Sequence, residues 1–304
     1  MTEIFFVLFV ICRYGDPQDS SKAAQYSYGP KATQPDVTPT ELQRLCKEYK
    51  GDLNVCQKEA QRLEEDTRQQ SEDGTGLWAN LRRCRLTSSN FGVICKRRPT
   101  TPVACLVKNL LYKSSSVSAP SIRWGRENEQ NARKAYAKYM QENNHPHLCT
   151  IRAGFVIHPQ HGWLGCSPDD WVADPDCAAD PHGTVEYKCP YSAREMTPEE
   201  ACIGIKGFFC TLQNGKVTLR RNHNYYYQVQ GALGVTARKW CDFVVWTPQG
   251  ISTERIPFDQ EFWDSMMPKL ERFFDTAILP ELAAPQHPNG RPIREPGTQS
   301  PQLK

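Results

Sequence analysis

Residues 162–191 read GWLGCSPDDWVADPDCAADPHGTVEYKCPY, and the fold turns on two parts of this stretch. Trp163 to Cys166 is a short apolar run that Ser167 and Pro168 turn into Asp169 and Asp170. After a turn-rich passage, Val185-Glu186-Tyr187-Lys188-Cys189 reads as a strand. Side chains alternate along a strand, so Glu186 and Lys188 share one face, and Val185, Tyr187 and Cys189 take the other. Two carboxylates and a lysine on one spot suit metal-assisted phosphodiester hydrolysis. Hard oxygens hold Mg²⁺ and the lysine stands near the attacking water. Taken singly, neither part decides. A Glu-x-Lys pair in a strand is commonly a solvated cross-strand pair, and paired aspartates are ordinary turn formers.

Working outward, residues 150–157 alternate and read as a strand. His158 to Gly162 reads as a hairpin turn, and Trp163 to Cys166 as the returning strand that delivers Asp169. Upstream, Ala132, Ala135, Tyr136, Tyr139 and Met140 form a helical stripe. Glu129 falls in line with Tyr136 and Met140, so it points at the core, whereas Glu127 points away. A carboxylate aimed inward needs a partner. A hydrated metal is one candidate and a buried arginine is the other.

Downstream, Thr197 and Pro198 open a helix over 197–209. Lys216, Arg220, Arg221 and His223 make a basic cluster, either a DNA-backbone contact or a solvated loop. In the next helix Tyr225, Val229, Ala232 and Leu233 form the inner stripe, with Gln228 on that side and Gln230 on the other. Residues 240–246 (WCDFVVW) read as a buried strand and 251–257 as an edge strand. The helix at 260–279 has an apolar face for core packing or a subunit contact.

With 304 residues the chain is long enough for a sizeable core in one or two domains. Apolar residues make up 39% and charged residues 23%, a globular balance. The net charge of +3 is no global signal for nucleic acid, so any such attraction must be local. One local cluster runs from Arg82 to Arg98, with six Lys or Arg and no acid, punctuated by the hydroxyls of Thr87, Ser88 and Ser89, which suit phosphate oxygens. The 13 cysteines are scattered without a Cys-x-x-Cys pair. That argues against a zinc ribbon and for reduced thiols in a cytosolic or nuclear protein. His145, His147 and Cys149 lie close together without an evident fourth ligand.

The ends read as accessory. Residues 4–12 (IFFVLFVIC) are too short for a membrane-spanning helix, so no stable membrane insertion is expected. The run resembles the core of a secretory signal, yet Glu3 precedes it and no basic segment does. A signal and an irregular translation start on an intracellular protein both stay open. Residues 1–37 read as an apolar run and linker, 38–74 as a helical lead-in without chemistry, and 75–282 as the main domain. Residues 283–304, with five prolines after position 283, read as a disordered tail.

Ser167-Pro168-Asp169 followed by Glu186-x-Lys188-Cys189-Pro190 resembles the core of the PD-(D/E)xK nuclease superfamily, specifically the branch of YqaJ-type viral recombinases and phage lambda exonuclease. The resemblance extends over about 77–280. Trp78, Arg82 and the Thr87-x-Ser89 signature resemble the family's first motif, and Gln228-Val229-Gln230 its last. It implies an α/β fold, a restriction-endonuclease-like core in which helices flank a mixed central sheet. It implies a Mg²⁺-dependent (or Mn²⁺-dependent) deoxyribonuclease acting 5′ to 3′ on double-stranded DNA ends in recombination or repair. By the same resemblance Asp169, Glu186, Glu129 and the Tyr187 carbonyl hold the metal, Lys188 orients the nucleophile and Gln228 approaches the metal site. Arg82, Ser89 and Ser167 take a 5′ phosphate, and relatives form ring-shaped homo-oligomers. Two departures stand out. Ser88 replaces the usual Ala, and Asp170 replaces the usual Gly, which adds a negative charge beside the metal. An internally cutting nuclease of the same fold and a non-catalytic DNA-binding scaffold remain the alternatives.

Overall fold

Thr38 opens the first helix. Its hydroxyl accepts the Glu41 N–H and Pro39 occupies the first turn. In this computed structural model, which describes residues 36–69, 76–112 and 119–297, helix α1 (Pro39–Asp52) is followed by α2 (Gln57–Thr67), α3 (Gly76–Arg83), strand β1 (Leu86–Thr87), α4 (Ser88–Cys95), α5 (Ala104–Leu111) and the long α6 (Pro120–Glu142). Strands β2 (Cys149–Arg152), β3 (Val156–Ile157), β4 (Leu164–Cys166), β5 (Asp170–Ala173) and β6 (His182–Lys188) come next. Then come α7 (Pro198–Gly204), β7 (Cys210–Gln213), β8 (Lys216–Leu219), α8 (Asn224–Thr236), β9 (Trp240–Thr247) and β10 (Gly250–Pro257). Helix α9 (Gln260–Phe273), a π-helical turn (Phe274–Ile278) and α10 (Leu279–Ala283) complete the body. The apolar run at 4–12 and nearly all of the expected linker lie outside the described residues.

The main sheet has the order β10-β9-β6-β5-β2. Strands β6 and β9 are parallel, and the other neighbours are antiparallel. A parallel pair needs cover on both faces, which is why WCDFVVWT is buried almost throughout. On one face α6 packs Ala132, Tyr136 and Met140 against Val172, Val185, Tyr187 and Val244. On the other, α8 packs Val229 and Leu233 against Cys241, Phe243 and Val245. The alternation along β6 is therefore as expected: Tyr187 faces α6, and Glu186 faces α8. A second sheet, β1-β4-β3, has β1 parallel to β4 with Thr87 opposite Gly165. The residues that follow Thr87 and those that follow Cys166 thus leave at the same end. This is the expected α/β class, a mixed central sheet between helices.

Several local expectations change. Residues 150–157 form two strands in different sheets. The break at Gly154 and Phe155 arises because their N–H groups donate to Glu64 and Thr67 of α2 instead of a neighbouring strand. The helix from 197 stops at Gly204, and the chain then forms the β7–β8 hairpin, whose turn holds Asn214 and Gly215 at positive φ. Asn-Gly is a strong turn signal for a two-residue hairpin. Gln230 is fully buried rather than outward: its amide donates to the Pro257 carbonyl, and its oxygen accepts the Asp259 N–H. The proline-rich end is packed as far as the described residues go. Ile293 joins the core, and the Glu295 carboxylate accepts the N–H groups of Val103 and Ala104 at the start of α5. Proline content suggested disorder, but these contacts order the segment.

Candidate active site

Asp169 lies just before β5, where Tyr187 has run past the end of that strand. The register ends at Asp170 opposite Val185, so the Tyr187 N–H turns to the Asp169 carboxylate at 2.6 Å. One residue further along β6, Lys188 bonds Glu186, and Gln228 of α8 donates to the same Glu186 oxygen. Tyr225 lies under the lysine, with Nζ 4.5 Å from the ring centroid. Glu129 reaches the site from α6. An open cleft of about 450 Å³ is lined by Glu129, Asp169, Tyr187, Lys188 and Tyr225, among others. That is room for a nucleotide-sized ligand.

The electrostatics are those of crowded carboxylates. Enclosure by the protein, then Glu186 and Glu129, hold the Asp169 carboxyl well above its ordinary range. Burial works against the Lys188 ammonium, but Glu186 and Asp169 outweigh it and raise its pKa. Burial pushes the Cys189 thiol up to about 12, so it is no nucleophile. No three His, Cys, Asp or Glu among the described residues close into a ready-made metal group; Glu186 is engaged by Lys188 and Gln228. The donor set still suits a hard divalent cation. All donors are oxygens, and Glu186 and Glu129 raise the proton affinity of Asp169, which a bound cation would relieve.

Arg82 and Ser167 meet, with guanidinium Nη1 donating to Oγ at 3.1 Å. The Trp78 indole N–H donates to the same oxygen at 3.2 Å, and Arg82 stacks over the Trp78 ring. Ser89 is exposed at the head of α4, where its hydroxyl pairs with Thr87. It joins Arg82 and Ser167 only in lying at the same end of the parallel β1–β4 pair. The basic run does not form one patch. Arg85 is buried, and its guanidinium donates to the carbonyls of Leu53, Leu81 and Gly162. Nor do His145 and His147 form a metal site: they pair with Asp174 and Asp176.

Asp170 departs furthest from expectation. It is wholly buried on the α6 side, gripped by Arg133 through Nε at 2.6 Å and Nη2 at 2.9 Å. Its charge is thus matched by an arginine on the α6 side. The same Nη2 reaches Glu129 at 3.1 Å, so the arginine alternative for Glu129 is realised while Glu129 still lines the cleft. Arg133 stands four residues after Glu129, the spacing of a helical ion pair, and that signal was legible. The roles of Tyr187 and Tyr225 as neighbours of Asp169 and Lys188 had no sequence signal.

The sequence profile of the YqaJ-like viral recombinase domain matches residues 77–239. No curated protein sequence matches the chain. Among solved structures, the alkaline exonuclease LHK-Exo from Laribacter hongkongensis is similar at 21% identity, covering 70% of this chain and 95% of that one, with a TM-score of 0.49. The shutoff and exonuclease protein of Kaposi's sarcoma-associated herpesvirus is similar at 13% identity, covering 78% and 75%, with a TM-score of 0.42. A phage-related exonuclease from Haemophilus somnus is similar at 14% identity, covering 68% and 93%, with a TM-score of 0.40. At these values none of the three carries an argument about substrate. The profile covers more than half of the chain and includes Asp169, Glu186, Lys188 and Gln228: the chain belongs to the YqaJ-like viral recombinase family.

Proposed function

We propose that this protein is a metal-dependent deoxyribonuclease that digests duplex DNA from its ends, 5′ to 3′, in recombination or repair of viral or mobile-element type. The observation that carries the reading is the open cleft lined by Asp169, Glu129 and Lys188, with buried Glu186 bonded to Lys188 and held by Gln228. Asp169, Glu186, Glu129 and the Tyr187 carbonyl are the groups that would hold Mg²⁺ or Mn²⁺. Bound there, the ion would lower the pKa of a water and offset charge on the phosphorane. Lys188 orients the attacking water and stabilises the developing negative charge. Its ammonium is kept protonated by the carboxylates beside it, so it acts as a cation and not as a base. Gln228 fixes the Glu186 carboxylate. Arg82, Ser167 and Ser89 receive a terminal 5′ phosphate, which makes attack dependent on a duplex end. A ring-shaped homo-oligomer around the duplex belongs to the same reading.

The test uses linear duplex DNA phosphorylated at one 5′ end and labelled at each end in turn, with Mg²⁺. Closed circles and a Lys188→Ala variant run beside it. The expected outcome is loss of the phosphorylated strand from its 5′ end, intact circles, and a variant slowed by about a hundredfold or more while still retaining DNA. Cut circles would make it an endonuclease. DNA retained equally with EDTA, and no cutting with Mg²⁺ or Mn²⁺, would make it a binding protein.

A further inference from the structure

Tyr187 touches both aspartates. Its N–H donates to the Asp169 carboxylate at 2.6 Å, and its hydroxyl donates to Asp170 at 3.0 Å. Arg133 closes the loop from the other side. It forks onto Asp170, reaches Glu129 at 3.1 Å, donates to the Gln130 side-chain oxygen at 2.7 Å, and lies 5.6 Å from the Tyr187 ring centroid. Two of the groups assigned to the metal are thus held by one connected set of bonds running from α6 to β5 and β6. Within that set Asp170 is the only carboxylate with no exposure, and a charge buried so deeply needs its own counter-ion.

We propose that Arg133, Asp170 and Tyr187 form a clasp that positions Glu129 and Asp169 for the metal, with Arg133 and Asp170 acting as positioning residues. The inference rests on the nuclease reading above. Asp170 holds the guanidinium in place, so the arginine steers Glu129 without capturing it. Without Asp170, the whole guanidinium charge would fall on Glu129 and compete with the cation. Without the fork, a single ammonium cannot hold both carboxylates. Outer partners that orient ligands in this way affect metal affinity directly.

The test compares wild-type protein with Asp170→Asn and Arg133→Lys. Both substitutions retain polar groups, and the second retains the charge. Mn²⁺ binding is measured by titration calorimetry without DNA, and melting temperature, kcat and KM for a DNA end are measured in parallel. The clasp predicts that each variant needs roughly tenfold or more Mn²⁺ for half-saturation. It also predicts that kcat falls while KM for DNA stays near wild type; the metal-free melting temperature falls in both variants, because each weakens a buried ion pair, and Mn²⁺ binding is read well below it. Wild-type Mn²⁺ affinity in both variants would overturn the clasp and leave a plain helix-to-sheet ion pair, while the nuclease reading stood. A wild-type protein that neither binds Mn²⁺ nor cuts DNA would overturn both.

Discussion

Asp169 and Asp170 are adjacent in the chain and serve opposite ends. The first opens onto the cleft, where other carboxylates raise its proton affinity, and the second is buried against an arginine on the opposite face of the sheet. Strand alternation is enough to separate them. Ser167, one position after the end of β4, meets Arg82, one helical turn before β1. Arg82→Ala should therefore reduce the preference for 5′-phosphorylated over 5′-hydroxyl ends. A charge-assisted hydrogen bond contributes about 1.5–3 kcal/mol, or roughly 10- to 100-fold. Competition between the two substrates reads the ratio, and an unchanged ratio would remove Arg82 from phosphate recognition.

At the scale of elements, α4 and α8 lie close enough to bring the Ser88–Ser89 head beside the helix that carries Gln228. Glycine permits this approach. A Cβ on Gly231 would fall 2.4 Å from the Phe91 ring. Gly231→Ala should cost about 1–3 kcal/mol by overpacking, read from urea unfolding. The β3–β4 turn makes a pH prediction. Burial, then His161, pushes His158 down from 6.5 to about 4, and its Nδ1 accepts the N–H groups of Gln160 and His161. The folded turn therefore holds a neutral imidazole. Below about 6.5 the unfolded chain takes up the proton first, so this residue's share of stability is full above that pH and falls as pH drops toward 4. Melting temperatures from pH 7 to 4 should decline less steeply in His158→Asn, whose side-chain oxygen still accepts at the turn. Parallel curves would refute this assignment.

For the whole molecule, the lead-in is structural masonry for the site. Glu64 accepts from the Gly154 N–H and the Trp171 indole and pairs with Arg68, while the Thr67 hydroxyl accepts the Phe155 N–H. Thr67 and Arg68 line a recess of about 30 Å³ shared with Ser167, Asp169 and Glu129. We propose that residues 36–69 belong to the same folding unit as the matched domain. A chain beginning at Gly76 would strand those donors and uncover Leu81 and Phe155, which pack against Leu63, so its melting temperature should fall by roughly 10 °C or more. An unchanged transition by calorimetry would show that residues 36–69 fold apart from the matched domain.

The local pattern of residues 162–191 was sufficient for the α/β class, and the helical spacing around Glu129 was sufficient to turn that carboxylate inward, where it lines the cleft. Alternation and helical period fix which face a side chain takes, and both depend only on the near sequence. The partners across the sheet were not legible. That Asp170 is neutralised by Arg133, that Glu64 replaces a strand neighbour for Gly154, and that Glu295 caps α5 are contacts between distant parts of the chain, from 37 to 192 residues apart. Neither a basic run nor a proline-rich end announces which of its charges will be buried. Burial and its counter-ions are settled when the elements pack, and here packing buried Asp170 against Arg133 and Arg85 among the carbonyls of Leu53, Leu81 and Gly162.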